Sequence, residues 1–281
     1  MTLPADFEFS QSSLQAYVDC PRLFDLRYVR RVRWPAAETR RALENERYMH
    51  QGRALHRLIR QHLMGVPTEL LSRTVKDPEL ERWWHHYLES GPSMPGERYP
   101  EIVLSASLGA YRLMARYDLI AVDAADQIVI IDWKTNRIRP DRPWLAERLQ
   151  TKVYPYVLSQ AGGWLAGPRR VDASSVRMVY WFANFPSAPI QFSLDEARFR
   201  EDEQYLVDLT REVTEALSRC CGGDQLPQTE DRRRCRICRY RSLCERGVEA
   251  GEADEREDRL TSEDGFDFTL YFDQMAELEV A

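Results

Sequence analysis

Two carboxylates and one ammonium group lie at the ends of two strand-like segments. Asp132 and Lys134 end the apolar run 128–134, and Asp118 lies 14 positions before Asp132, at the end of the run 111–118. Because side chains alternate between the faces of a strand, Asp132 and Lys134 share one face. If the two runs pair as a hairpin, Asp118 reaches the same end of the sheet. Two carboxylates can hold Mg²⁺ or Mn²⁺, and a lysine can activate water or stabilise charge at phosphorus. The pattern therefore predicts metal-assisted hydrolysis of a phosphodiester.

The segments that must position these side chains predict an α/β fold. Apolar residues at spacings of three and four predict helices, and β-branched runs bounded by turn residues predict strands. The predicted helices cover residues 10–20, 40–64, 67–89, 144–160 and 195–217, and the predicted strands cover 101–108, 111–122, 127–134 and 176–182. The order helix, three strands, helix, strand and helix predicts an α/β core around a mixed sheet.

Length and composition restrict the class of protein. The 281 residues suffice for one sizeable core with an appended subdomain, or for two modest domains. No apolar stretch approaches the roughly 20 residues that span a bilayer. The amino terminus lacks the basic and apolar regions of a signal peptide. We therefore expect a cytoplasmic protein.

The net charge of −6 is unevenly distributed along the chain. Residues 249–281 contain 12 acidic and 2 basic side chains, so residues 1–248 carry a net charge of +4. Arginine-rich segments such as 30–33 and 232–234 could contact phosphates, although a solvated surface explains them equally well. We expect the acidic segment to be a disordered tail, and the alternative is a DNA mimic that covers a basic channel.

Three further residues extend the candidate site. His56 lies on the predicted helix 40–64, and Gln150 and Tyr154 share one face of the next predicted helix because they are four residues apart. With these motifs in place, the chain resembles the PD-(D/E)XK nuclease superfamily, specifically its RecB-like branch. The matching segments are 52–56 (Gly-Arg-Ala-Leu-His), 116–120 (Arg-Tyr-Asp-Leu-Ile), 132–135 (Asp-Trp-Lys-Thr) and 150–154 (Gln-Thr-Lys-Val-Tyr). Each motif alone has an ordinary structural explanation, so the interpretation depends on their order and placement.

The resemblance implies a restriction-endonuclease-like core, a mixed central sheet flanked by helices, and it assigns roles to the candidate residues. The metal ligands would be His56, Asp118, Asp132 and the carbonyl of Trp133. Lys134 would be the catalytic lysine, and Gln150 and Tyr154 would place the DNA strand near the metal. The rings of Trp133 and Tyr154 could stack on or brace an unpaired strand. Ala115 departs from the family pattern, which often has a glycine there.

The cysteines predict a second inorganic site. The six are Cys20, Cys220, Cys221, Cys235, Cys238 and Cys244. Disulfides are rare in the cytoplasm, and the last three have the spacing C-x2-C-x5-C among polar neighbours. Cys20 is the best fourth ligand, because Cys220 and Cys221 are adjacent and cannot easily both face one centre. Four thiolates can hold zinc or a [4Fe–4S] cluster, and the spacing does not decide between them.

The cysteine segments also resemble those of RecB-like nucleases of the AddB type and of the CRISPR-associated exonucleases related to them. The matching segments are 20–24 (Cys-Pro-Arg-Leu-Phe) and 235–244 (Cys-Arg-Ile-Cys-Arg-Tyr-Arg-Ser-Leu-Cys). That resemblance implies a [4Fe–4S] cluster, with zinc as the lesser possibility, on Cys20, Cys235, Cys238 and Cys244. The resulting four-cysteine subdomain would join the two ends of one nuclease domain, residues 1–248. Its role would be structural, since it would hold the core closed around a DNA channel.

These observations together predict a deoxyribonuclease that depends on Mg²⁺ or Mn²⁺. Threading through a ring closed by the cluster favours an exonuclease on single-stranded DNA ends, in DNA repair, recombination or CRISPR adaptation. One alternative is a non-catalytic DNA-binding or assembly module, which would have lost part of the Asp118, Asp132 and Lys134 set. Another is a nuclease subunit that is active only with a helicase or a CRISPR integration complex. The chain has no Gly-x4-Gly-Lys-Ser/Thr phosphate loop, so unwinding would require a partner.

Overall fold

The computed structural model describes residues 3–4, 6–33, 40–94, 96–165, 171–220 and 224–247. The strands are β1 (Glu8–Ser10), β2 (Glu97–Leu108), β3 (Tyr111–Val122), β4 (Ile128–Lys134), β5 (Val176–Phe182) and β6 (Ile190–Ser193). The helices are α1 (Gln11–Asp19), α2 (Pro21–Phe24), α3 (Arg40–Leu63), α4 (Thr68–Thr74), α5 (Pro78–Ser90), α6 (Arg142–Glu147), α7 (Leu149–Ala161) and α8 (Glu196–Arg219). The acidic segment 249–281 lies outside the described residues, so its predicted disorder stays a prediction.

One mixed sheet of six strands forms the centre of the fold. β3 runs antiparallel to β2 on one edge, and its other edge pairs first with β1, in parallel, and then with β4, antiparallel. The sheet continues through β5, which is parallel to β4, to the antiparallel β6. The parallel pair β4 and β5 is joined by a crossover that contains α6 and α7, as a parallel connection requires. The predicted mixed α/β core is therefore confirmed.

A break in the strand pairing marks one region of the sheet. On the shared edge of β3, the pairing with β1 ends at Met114 and the pairing with β4 begins at Leu119. Among the described strands, none pairs with residues 115–118 on that edge. A gap of this kind opens the sheet and leaves room for side chains between two strands. Asp118 lies at this gap.

Two helical layers cover the sheet, and each has its own apolar core. The layer of α1, α7 and α8 packs on the face that includes Ile128 and Ile130 of β4. The layer of α3, α4 and α5 packs on the opposite face, which includes Ile131 and Trp133. This division follows the alternation predicted for β4. Burial of each large apolar side chain stabilises the fold by roughly 1.5–3 kcal/mol, so the register of β4 is strongly fixed.

Several predicted boundaries differ from the structure for local reasons. The predicted helix 67–89 divides into α4 and α5 because Asp77 caps α5, accepting hydrogen bonds from the N–H groups of Glu79 and Leu80. The predicted helix 144–160 divides at Arg148, whose backbone is extended with ψ of 138°. Strands β1 and β6 were not predicted, since three or four residues carry too little alternating pattern to identify a strand.

Candidate functional site

His56, Glu101 and Asp118 form a compact group of possible metal ligands. One ligand atom from each lies within 4.8 Å of the other two. Nδ1 of His56 lies 3.1 Å from Oδ1 of Asp118, and the side chains of these two residues are 23% and 15% exposed, so solvent reaches them. Two carboxylates suit Mg²⁺ and Mn²⁺, and an imidazole is a common additional ligand for transition metals. The donor set therefore fits the divalent ion that the sequence predicts.

The hairpin of β2 and β3 brings Glu101 to the position that faces Asp118, between the pairs Pro100–Leu119 and Ile102–Tyr117. Glu101 lies seven residues before Leu108 and Asp118 lies seven residues after Tyr111, and Leu108 and Tyr111 pair across the turn. The backbone of Glu101 has φ of 54°, a left-handed conformation that is uncommon for residues other than glycine. Strain of this kind concentrates at functional sites. Here it occurs where two acidic side chains converge.

Asp118 also stands where β3 and β4 separate. The ladder between these strands ends at Leu119 and Ile131. Beyond that point Oδ2 of Asp118 accepts a hydrogen bond of 2.8 Å from the backbone N–H of Trp133. The side chain thus takes the place of a strand partner, and this contact holds its carboxylate next to the segment that contains Asp132.

Asp132, Lys134 and Gln150 form a buried polar cluster on the α7 face of the sheet. Nζ of Lys134 lies 2.9 Å from Oδ2 of Asp132, and Nε2 of Gln150 donates a 2.5 Å hydrogen bond to Oδ1 of the same carboxylate. The three residues are only 3%, 3% and 5% exposed. The sequence predicted that Asp132 and Lys134 share a face, and the structure confirms this. Asp132 is outside the compact ligand group, so its role as a metal ligand stays a prediction.

The two carboxylates of the ligand group have pKa values that shift in opposite directions. Burial raises the pKa of Glu101 above 4.5, and the nearby charge of Asp118 raises it further. Burial also acts to raise the pKa of Asp118, but His56, the Trp133 N–H and Lys134 outweigh it and lower that pKa below 3.8. Asp118 is therefore the more stable anion of the two. A pair of carboxylates with divergent pKa values is typical of an active site.

The rings of Trp133 and Tyr154 are buried, which corrects the expectation that they stack on DNA. Trp133 is 2% exposed and packs edge-on against Trp181. Tyr154 is 4% exposed, its ring lies 4.9 Å from that of Tyr117, and its carbonyl accepts a hydrogen bond from the Tyr117 hydroxyl. Both rings are core side chains that brace the strands beside Asp118. They cannot reach a nucleotide base from these positions.

Four cysteines line a second site, a cavity between α1 and the carboxy-terminal segment. They are Cys20, Cys235, Cys238 and Cys244. Burial, with a smaller contribution from the other three sulfurs, raises the pKa of the Cys238 thiol to about 12. The cavity is also lined by arginines, namely Arg22, Arg234, Arg241 and Arg246. Four thiols among cationic side chains are a donor set that fits an anionic metal–thiolate centre.

Cys220 directly follows α8, and it does not line the four-cysteine cavity. Cys221 lies outside the described residues. The choice of Cys20 as the fourth member of the set agrees with this geometry.

The four-cysteine cavity lies where α1 and α2 meet the segment 224–247. The N–H of Arg22 donates to the carbonyl of Pro227, and the N–H of Leu226 donates to Asp25. Hydrogen bonds from the surrounding residues reach the sulfurs. The Thr229 N–H lies 3.4 Å from Sγ of Cys20, and an Arg246 nitrogen lies 3.6 Å from Sγ of Cys235.

A family model of the PD-(D/E)XK nuclease superfamily matches residues 8–245. The chain belongs to this superfamily. The matched region contains the ligand group, the buried cluster and the four cysteines. The sequence matches no curated protein significantly.

Two solved structures resemble the fold of this nuclease-superfamily member at low identity. The protein SSO0001 is 16% identical, with 72% of this chain and 98% of that chain covered and a TM-score of 0.35. A candidate exonuclease from Eubacterium rectale is 8% identical, with 90% of this chain and 92% of that chain covered and a TM-score of 0.47. Within the described residues, no helix is long and apolar enough to cross a membrane.

Glu101 is the site residue that the sequence analysis missed. The signal was present, because Gly109 and Ala110 form a two-residue turn between the predicted strands, and such a turn fixes the register. Extending that register from Leu108 and Tyr111 places Glu101 opposite Asp118. The sequence pattern predicts Glu101 as the first residue of a strand, because Pro100 precedes it. Its left-handed backbone was not predictable from the sequence.

Proposed function

We propose that the protein is a metal-dependent DNA nuclease that degrades single-stranded ends. One observation supports this most strongly, the convergence of His56, Glu101 and Asp118 within 4.8 Å, beside the buried ion pair of Asp132 and Lys134. Superfamily membership gives the reaction class, hydrolysis of a phosphodiester.

The ligand group would hold Mg²⁺ or Mn²⁺, with Asp132 and the Trp133 carbonyl as further candidate ligands. A bound divalent ion lowers the pKa of a water molecule and withdraws charge from a phosphoryl oxygen. Because the pKa of Asp118 is lowered, this residue is ionised at neutral pH and ready to bind a cation. Glu101 has the raised pKa, and a cation bound beside it would lower that pKa.

Lys134 supplies the cationic group on the other side of the site. Its ammonium is held 2.9 Å from Asp132 and is almost fully buried. In such low-dielectric surroundings an ammonium stabilises developing negative charge more strongly than it does in water. We propose that Lys134 donates to the attacking water or to an oxygen of the scissile phosphate, and that Gln150 keeps Asp132 oriented.

The preference for single-stranded ends rests on the link between α1, α2 and the segment 224–247 at the four-cysteine cavity. If this link encloses a DNA channel, the channel would admit a free end and exclude a closed circle. The excess of basic side chains in residues 1–248 is consistent with a nucleic-acid substrate. A helicase or a CRISPR integration complex would be the natural partner, since either one generates or holds such ends. Stimulation of cleavage on adding a helicase would support the partner.

The test is cleavage of end-labelled linear single-stranded DNA with Mn²⁺, next to the same sequence as a closed circle. The wild type should degrade the linear strand and leave the circle intact. Asp118→Asn should abolish cleavage, because it removes a charged ligand at nearly constant shape. The matched control is Asp123→Asn, in the exposed turn after the same strand, where the side chain only accepts from the N–H groups of Ala125 and Gln127.

Different results would contradict the exonuclease activity and the metal ligand group. Efficient cutting of the closed circle would replace the exonuclease with an endonuclease. Metal-independent cleavage, or cleavage that survives Asp118→Asn, would remove the ligand group from the mechanism. If neither DNA form is cut by the wild type with either metal, a DNA-binding module explains the fold better.

We further propose that the four cysteines hold a [4Fe–4S] cluster, with zinc as the competing occupant. Four thiols facing one cavity, among arginines, support an anionic centre of either kind. Protein purified without oxygen should contain about four iron atoms per chain and show visible absorbance. Cys238→Ser should lose both, whereas Cys220→Ser should keep both. One zinc ion per chain, with no visible absorbance, would identify zinc as the occupant instead.

A further inference from the structure

A continuous set of polar contacts runs from the four-cysteine cavity to the nuclease site. Arg234, next to Cys235, forms an ion pair with Asp19, which is next to Cys20. Gln15 donates a 2.9 Å hydrogen bond to the same oxygen of Asp19. The amide oxygen of Gln15 accepts a 3.2 Å hydrogen bond from the N–H of Leu149, the first residue of α7.

The contact with Leu149 matters because α7 lacks a cap of its own. The first N–H groups of a helix have no partner within the helix, and a polar side chain at the N-cap normally satisfies one of them. The N-cap residue here is Arg148, which makes no such hydrogen bond. Gln15 supplies the missing acceptor from a different helix, and it is only 5% exposed. The first turn of α7 therefore depends on α1.

That first turn contains Gln150, which holds Asp132. Gln150 is the second residue of α7, and its amide donates to Asp132 at 2.5 Å. A shift of the first turn by a fraction of an ångström would change this hydrogen bond directly. The position of Gln15 thus bears on the orientation of an active-site carboxylate that it does not touch.

At the other end, Asp19 depends on the cysteine segment. Asp19 is 6% exposed, and a buried carboxylate is stable only with charged or hydrogen-bonding partners. Arg234 belongs to a short 3₁₀ turn, Arg232–Ile237, that also contains Cys235. If the cysteines release their ligand, this turn loses its anchor and Asp19 loses its cationic partner. Asp19 would then turn toward water and draw Gln15 away from Leu149.

We propose that Gln15 is a positioning residue that couples the occupancy of the four-cysteine site to the geometry of the nuclease site. The coupling passes from Asp19 through Gln15 to the first turn of α7, and from that turn through Gln150 to Asp132. This inference rests on the proposed function in one respect, namely that both sites bind an inorganic group. Because coupling free energy is reciprocal, metal bound at the nuclease site should also raise the affinity of the four cysteines for their ligand.

The experiment measures hydrogen exchange at the start of α7, a readout that does not require catalysis. The proteins are the wild type, Gln15→Leu, Cys238→Ser and the double variant, all purified without oxygen. Each single substitution should accelerate exchange in residues 149–152 by about tenfold, the equivalent of one lost hydrogen bond of about 1.4 kcal/mol. The double variant should be no faster than either single variant, since both interrupt the same set of contacts.

The control for helix packing is Gln11→Leu. Gln11 lies one turn before Gln15 on the same helix, is 7% exposed, and donates only to the neighbouring Ser12. It should leave exchange at α7 unchanged. If Cys238→Ser does not fold, Asp19→Leu removes the oxygen that accepts from both Gln15 and Arg234 and keeps all four cysteines.

Two results would overturn the coupling. One is a double variant whose acceleration equals the product of the single effects, which means that the two sites act independently. The other is an equal effect of Gln11→Leu and Gln15→Leu, which means that α1 packing alone matters. Mn²⁺ affinity is measured by electron paramagnetic resonance on the same proteins and on Asp118→Asn. This measurement separates the test of the coupling from the test of the proposed function. If Asp118→Asn binds Mn²⁺ as well as the wild type does, the metal site is wrong, and the exchange data still decide the coupling.

Discussion

Neutralising Glu101 should make the protein more stable without metal and less stable with it. In the absence of a cation, Glu101 and Asp118 place two carboxylates within 4.8 Å. Two unit charges at that separation repel by about 3.5 kcal/mol at an effective dielectric constant of about 20. The His56 contact with Asp118, the raised pKa of Glu101 and solvent screening offset most of this repulsion. We expect Glu101→Gln to raise the free energy of unfolding in chelator by about 1 kcal/mol, or roughly 2–4 °C in melting temperature.

Adding Mn²⁺ should reverse the order of stability of the wild type and Glu101→Gln. At a concentration about 100 times the wild-type Kd, binding stabilises the wild type by about 2.7 kcal/mol. If loss of one carboxylate ligand weakens binding by about 100-fold, the variant gains only about 0.4 kcal/mol under the same conditions. The wild type then becomes the more stable protein. Thermal unfolding in chelator and in Mn²⁺ measures both differences.

The matched control is Glu97→Gln, which changes an exposed carboxylate near the start of the same strand. It should move neither melting temperature by more than about 1 °C, since surface substitutions away from special features have effects within ±0.5 kcal/mol. The pH dependence adds a check of sign. The pKa of Glu101 is raised in the folded state, so its destabilising effect is present above that raised pKa. The effect fades as the pH falls toward the unfolded value near 4.5. A variant that is less stable than the wild type in chelator and equally stabilised by Mn²⁺ would refute this reasoning.

Three further substitutions test the buried part of the site. Lys134→Met should abolish cleavage and lower the free energy of unfolding by about 3–5 kcal/mol, because it removes the ammonium partner of buried Asp132. Adding Asp132→Leu to this variant should restore the free energy of unfolding, measured in urea, but should not restore cleavage. Gln150→Leu should reduce cleavage by about 10–100-fold in single-turnover assays and lower the free energy of unfolding by about 1–3 kcal/mol, since it removes an orienting hydrogen bond from a buried carboxylate. Asp118→Asn should flatten the loss of stability at acid pH, because the lowered pKa of Asp118 contributes stability that is present above 3.8 and lost as the pH falls through the folded value.

The sequence predicted the parts of the site that depend on a single strand. Asp132 and Lys134 share a face because side chains alternate along β4. Their apolar neighbours Ile131 and Trp133 are buried in the core on the opposite face, and this burial fixes the register of the strand. The hairpin partner Asp118 followed from the turn between β3 and β4. These features depend on local periodicity, which a sequence shows directly.

The features of the site that the sequence did not predict depend on contacts between different helices and strands. Glu101 becomes a candidate ligand through a left-handed backbone and a shared hairpin register, neither of which is visible in the residue type alone. The contact of Gln15 with Leu149 joins residues 134 positions apart. Burial of Trp133 and Tyr154 was also misjudged, because aromatic residues beside acidic ones suit a binding surface as well as a core. Tertiary packing decides such cases.

A crystal grown with Mn²⁺ and measured at the manganese absorption edge tests the metal site most directly. The geometry predicts an anomalous peak enclosed by His56, Glu101 and Asp118, with carboxylate oxygens at about 2.0–2.3 Å, and no such peak in Asp118→Asn. Absence of manganese between these three side chains, at a concentration that supports DNA cleavage, would contradict the proposed site. A peak bound elsewhere in the same crystal would show which residues hold the ion instead.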